Sequence, residues 1–214
     1  MPPEHSNNFD EIIGLRNLVV LSFVTLDGVM QAPGGPKEDT SGNFKYGGWT
    51  AGYWDDFIGK VMATQMGKPF DLLLGRKTYR IFAAYWPHAT VQPLADKLNE
   101  AKKYVVSTRL TRLDWNNSTL ITGDIVDGIQ NLKKQDGPEI QVHGSSNLIQ
   151  TLLRNDLIDE LRLKIFPITI GKGKRLFGDG TIPASFKLLE SKISTKGVII
   201  ATYMRNGEIR IGSF

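Results

Sequence analysis

The chain has 214 residues, 41% hydrophobic and 22% charged, which is enough apolar material for one generous buried core and excludes global disorder, collagen and coiled coil. With no cysteine, disulfide frameworks, iron-sulfur clusters, cysteine nucleophiles and thiolate zinc sites are excluded together, and His5, His88 and His143 are too scattered for a paired-ligand motif, so no metal is expected. No run approaches the ~18 apolar residues of a membrane span, and the first residues lack the regions of a signal peptide. A soluble, cytoplasmic protein without a membrane partner is expected, and a net charge of +4 is too small to demand nucleic acid.

Residues 1–16 are polar with no periodicity and read as a loose tail, with a single domain over 17–214. Leu18 to Val24 (LVVLSFV) is a β-rich apolar run typical of a central strand. The Gly-, Pro- and Asp-rich stretch from Thr25 to Thr50 is longer than the roughly 15 residues that structureless loops usually reach, which marks it as a binding loop or lid. From Tyr53, apolar positions at three-to-four spacing (Trp54, Phe57, Ile58, Val61, Met62, Met66) predict an amphipathic helix ending near Gly67.

Phe70 to Leu74 is a second buried-type strand, followed by Gly75-Arg76-Lys77-Thr78 and a helix to about Trp86. Further strands are predicted at Tyr104 to Ser107, Thr119 to Thr122, Ile140 to His143 and Leu161 to Phe166. Helices fall at about Ile125 to Lys134, capped by Asp124, and at about Ser146 to Asn155. The segment from about Ser185 to Arg210 reads as two antiparallel strands turning near Lys196-Gly197. The expected fold class is therefore α/β, a three-layer αβα sandwich with a mostly parallel central sheet and antiparallel C-terminal edge strands.

Strand, then Gly75-Arg76-Lys77-Thr78, then helix is a phosphate-binding pattern: amide N–H groups at a helix start face an anion, the glycine permits close approach, and Arg and Lys add charge. Solvated basic residues in an ordinary turn would read the same. His143-Gly144-Ser145-Ser146-Asn147 is a second strand end opening a helix, and two such openings at the carboxyl ends of parallel strands could hold one extended cofactor. Ser107-Thr108-Arg109 is a third strand end, where an arginine could take a ribose 2′-phosphate and select NADP over NAD. Neither GxGxxG nor GxxxxGK[ST] occurs. Trp49, Tyr53, Trp54 and Phe57 flank the long loop and could stack on a flat substrate, although core packing fits Phe57 better.

Four passages, Thr25-Leu26-Asp27-Gly28, Leu74-Gly75-Arg76-Lys77-Thr78-Tyr79, Val142-His143-Gly144-Ser145 and Pro167 to Phe177, in this order resemble the dihydrofolate reductase superfamily. Within it they resemble the branch of the C-terminal reductase domain of bifunctional riboflavin-biosynthesis deaminase-reductases, over about residues 17–206. The resemblance implies a dihydrofolate reductase-like fold and NADPH-dependent hydride transfer to a pteridine- or pyrimidine-like heterocycle, often in a homodimer. It assigns Gly75, Arg76, Lys77 and Thr78 to the cofactor phosphates and Ser107, Thr108 and Arg109 to the adenosine ribose phosphate. Gly144 and Ser145 fall on the family's glycine pair, which carries a cis peptide. For the catalytic carboxylate it offers Asp55 and Asp56, on the helix after the long loop, and Asp27 as a rival, although first-turn acids suit the helix dipole and Asp-Gly after a strand suits a tight turn. Two positions depart from the riboflavin branch: Leu21 stands where a lysine is found and His143 where an acid is found. His143 reads more simply as a satisfied strand-end histidine. True dihydrofolate reduction and a non-catalytic NADP-binding relative are the alternatives.

Overall fold

The computed structural model describes residues 15–213. Eight strands form one sheet in the order β4-β3-β2-β5-β1-β6-β8-β7. They are β1 (Leu18–Thr25), β2 (Phe70–Gly75), β3 (Lys103–Val106), β4 (Ser118–Ile121), β5 (Glu139–His143), β6 (Glu160–Phe166), β7 (Phe186–Ile193) and β8 (Ile199–Arg205). The first six run parallel, and β8 and β7 add an antiparallel edge. The helices are α1 (Asp56–Gln65), α2 (Arg76–Tyr85), α3 (Leu94–Glu100), α4 (Ile125–Lys133) and α5 (Ser146–Arg154).

Period-two alternation sorts the central strands onto two cores. Leu18, Val20 and Val24 of β1, Leu73 of β2, Ile140 and Val142 of β5, and Leu161 and Leu163 of β6 pack under α4 and α5. On the other face Leu72 and Leu74 of β2 and Val105 of β3 meet Met66, which closes α1, Tyr79 of α2 and Leu98 of α3. Ile58 of α1 joins Phe166, Val198 and Ile200 there. The three layers match the expectation from the sequence.

Three boundaries differ from it. The helix predicted from Tyr53 begins at Asp56, because Asp55 caps it by accepting from Ile58 N at 2.9 Å, and Ala51–Tyr53 form a separate 3-10 turn. The helix α3 was not predicted, since LADKLNE carries only two leucines and follows a proline. The tail expected over 1–16 falls mostly outside the described residues. Arg16 at its end is buried, pairing with Asp71 at 2.5 Å and donating to Pro138 O at 2.7 Å. Among the described residues no helix is long and apolar enough to cross a membrane, and no group of His, Asp and Glu could hold a metal.

Candidate functional site

Strands β2 and β5 are parallel neighbours, yet α2 leaves β2 for one face of the sheet and α5 leaves β5 for the other. Adjacent strands whose connections part in this way leave a crevice beyond their carboxyl ends, the position where open α/β sheets hold ligands. A cleft of about 1310 Å³ lies there. That exceeds the roughly 300–1,000 Å³ of an ordinary small-molecule pocket, leaving room for a dinucleotide and a second ring.

The two helix starts are bonded to each other. Ser145 Oγ accepts from Gly75 N at 3.0 Å, and Ser145 N donates to Thr78 Oγ1 at 2.8 Å. These bonds need the β5–α5 turn to approach α2 closely. Gly144, at φ +55°, permits it, because a Cβ there would stand 3.1 Å from Thr78 Oγ1. Ser145 follows with φ +53°, and the Gly144–Ser145 bond is trans; the cis bond among the described residues is Gln92–Pro93. Gly75, Arg76, Lys77, Thr78, Ser107, Thr108, Arg109, Gly144, Ser145, Ser146 and Asn147 all line this one cleft, although the motifs lie up to 72 positions apart. Ser107 Oγ accepts from Arg109 N (3.1 Å) and Leu110 N (3.0 Å), turning the chain after β3 so that the exposed Arg109 stands at the rim.

Lys77 is not free. Asp39, from the long loop, binds both Lys77 and Lys174, the latter at 2.7 Å, and its carboxyl is held far below the usual range despite the opposing effect of burial. The loop is thus strapped over the β2–α2 turn by its own acid.

The residues expected at the chemical end separate. Trp54 lines the cleft, 6.0 Å from Phe23 ring to ring. Trp49 does not: it stands edge-on to Phe166 at 5.2 Å and donates Nε1 to Gln31 O. Tyr53 and Phe57 pack in the same cluster with Phe166. Asp55 accepts from Thr195 N and Oγ1 at 3.0 and 2.7 Å besides capping α1, and the Thr195 hydroxyl first of all lowers its pKa. It faces the β7–β8 turn, outside the cleft lining. Asp27 accepts from Thr25 Oγ1 (2.5 Å), Ile170 N (3.1 Å) and Gly171 N (2.7 Å), which also hold its pKa down. It clasps the end of β1 to the segment after β6, and it too lies off the lining. Both acids have structural partners in place of the proposed substrate contact.

The deep end of the cleft is lined by Phe23, Met62, Met66, Phe82, Trp86 and Leu98, with His143 at its edge. Behind it runs a buried polar layer that the sequence reading missed. Arg162 binds Glu139 through two bonds of 2.8 Å and Glu160 at 2.5 Å; Lys164, fully buried, donates to Gln65 Oε1. Burial, with Arg162 nearby, lowers the Lys164 pKa to about 7. The signal was present as polar residues alternating along β5 and β6, in Glu139, Gln141, His143 and in Arg162, Lys164.

The model of the RibD C-terminal domain matches residues 16–200. The chain belongs to the RibD C-terminal domain family. Within reach of this family, the chain is 28% identical over 196 residues to the uncharacterized protein YyaP of Bacillus subtilis (strain 168), covering 90% of this chain and 96% of that one. A protein proposed for riboflavin biosynthesis from Shewanella sp. PV-4 superposes with a TM-score of 0.62 at 22% identity, covering 89% and 99% of the two chains. A pyrimidine reductase-like protein of Corynebacterium diphtheriae gives 0.57 at 13%, covering 90% and 93%. Dihydrofolate reductase of Enterococcus faecalis, solved with NADP(H), gives 0.58 at 14%, covering 89% and 96%. The RibD C-terminal domain here therefore has the dihydrofolate reductase-like, reductase-type fold.

Proposed function

We propose that the protein is an NADPH-dependent reductase acting on a flat pteridine- or pyrimidine-like heterocycle. The observation that carries this reading is the pair of fused helix starts, α2 and α5, opening on a single cleft with Arg76 and Arg109 at its edge. Such a cradle fits a dinucleotide: amide-rich turns and helix dipoles suit a pyrophosphate, and an exposed guanidinium suits a 2′-phosphate. NADPH, when bound, supplies the hydride. Arg76, Thr78, Ser146 and Asn147 would hold its phosphates, and Arg109 the ribose phosphate.

The chain's own work is to orient and to dry. Trp54 and Phe23 offer aromatic faces to a flat ring, and the long loop closes over the site through Asp39, excluding water. The described lining residues include two acids, Glu38 and Asp39, both on the loop. None stands at the deep end, where a carboxylate would grip the amidine edge of dihydrofolate. That weighs toward a heterocycle recognised by neutral groups and against true dihydrofolate reduction. The exposed Leu188, Leu189 and Ile193 of the edge strand β7 favour a homodimer across that face, which sedimentation of the purified protein would check.

The test is NADPH absorbance. Oxidation that begins on adding the ribosylaminouracil phosphate of riboflavin synthesis or a dihydropterin supports the reading. NADPH binding without turnover of either, or of dihydrofolate, would overturn the proposed substrate class and leave the cofactor binding standing.

A further inference from the structure

The reductase reading gives no part to His143, the last residue of β5, which lines the cleft and lies 6.3 Å from Phe82, ring to ring. Its side chain ends a run of hydrogen bonds whose direction is set from the far end. Glu139, gripped by two parallel bonds from Arg162, is a carboxylate and can only accept. Gln141 reaches Glu139 Oε1 at 2.6 Å and Gln65 O at 3.2 Å; both are acceptors, so the amide nitrogen must face them and Oε1 must face His143. The histidine nitrogen 3.0 Å from that oxygen, Nε2, therefore carries the hydrogen. In a neutral ring this leaves Nδ1 a bare acceptor.

The surroundings of the ring favour its neutral form. Burial first, then the charges of Lys164 and Arg162, lower its pKa to about 3. Glu139 on its own strand and Glu160 on β6 are both taken up by Arg162, and α1 presents only the neutral Gln65 to this layer. Among the described residues no buried side-chain nitrogen or oxygen lacks a partner. Nδ1 has no bond among them and so is not sealed from solvent, and the cleft is a space that His143 lines.

We propose that His143 Nδ1 accepts a hydrogen bond from an amide or lactam N–H of the ring bound beside it, with Gln141 and Glu139 as the positioning residues that keep this nitrogen bare. The inference rests on the reductase reading, because it needs such a ring in the cleft. Two sources present this chemistry: the carboxamide of the nicotinamide and a lactam of the substrate heterocycle. A ring offering only carbonyl oxygens at this point would meet a lone pair and be rejected.

Nitrogen-15 spectra of the histidines in the full chain test it, with the His143 signals identified by their loss in His143→Phe. The expected result is the Nε2–H tautomer between about pH 5 and 8. Its Nδ1 resonance should then shift on adding NADP+ or 6-methylpterin, and stay in place with 2′-phospho-ADP-ribose, which lacks the carboxamide. A shift with NADP+ assigns the carboxamide; a shift only with the pterin assigns the lactam. His143→Phe should weaken the ligand that causes the shift about tenfold, the worth of one good hydrogen bond. His143→Asn, which keeps an acceptor near Nδ1, should recover part of that loss. A protonated ring or an Nδ1–H tautomer at neutral pH overturns the proposal, as does an Nδ1 unmoved through both titrations. Tryptophan fluorescence follows NADP+ binding separately: no binding removes the reductase reading and this proposal with it, whereas binding with Nδ1 unmoved removes the proposal alone.

Discussion

The two ends of the cleft are built on different principles. At the end proposed for the phosphates, the cleft is shaped by backbone: helix starts, a left-handed glycine and short hydroxyl bonds. At the deep end the lining is side chains from β1, β5, α1, α2 and α3, backed by a buried ionic layer that includes Arg162 and Lys164 of β6. The first kind of site follows from a few adjacent residues, and the second only from the assembled fold.

The sharpest way to break this contrast is to unbalance the layer behind the deep end. Arg162→Met leaves Glu139 and Glu160 without their cation in a largely buried site, and should cost about 3–5 kcal/mol in denaturant unfolding. A loss near zero would mean that water already screens the layer. Gly144→Ala acts on the phosphate end, where φ +55° and the contact with Thr78 should cost about 1–3 kcal/mol and part the two helix starts, so that NADPH affinity falls with stability. Unchanged affinity would show that the fused turns are not the cradle.

The pH dependence of stability separates the ends further. His143 has a folded pKa below its unfolded value, so the unfolded chain binds the proton first and stability falls as pH drops from about 6.5 toward 3. His143→Phe should flatten that part of the acid limb; an unaltered limb would place the titration elsewhere. Asp39→Asn releases Lys77 and Lys174 and should tighten NADPH several-fold, a change on the order of 1 kcal/mol, read by fluorescence titration. Weaker binding would mean that the strap helps hold the cofactor. The smallest effect is expected from Asp55→Asn, which can still cap α1 and should leave kcat within about twofold, whereas a fall of about a hundredfold would return Asp55 to catalysis.

What the sequence made legible follows the same division. Runs such as LVVLSFV and FDLLLG name their strands because burial on both faces demands continuous apolar residues, and Gly75-Arg76-Lys77-Thr78 announces a helix start locally. Asp55 was placed on the helix because the apolar stripe begins at Tyr53; an acid three residues before the buried Ile58 is also a cap signature, and the cap is its role. That Ser145 would bond Gly75, 70 positions away, or that Asp39 would hold Lys77, has no local signal. His143 looked like a satisfied strand-end residue because the partners that direct its ring, Gln141 and Glu139, depend on Arg162 across two strands.

The proposed function requires the paired helix starts to grip a dinucleotide phosphate backbone. Titrating the purified protein with NADPH and with NADH, while following its four tryptophans, tests it most directly, with Arg76→Ala/Arg109→Ala alongside. Saturable binding that favours NADPH should weaken by about a hundredfold or more in the double variant, as expected for two charge-assisted contacts. Equal binding by the folded double variant, or no saturable response in the parent chain, would contradict it.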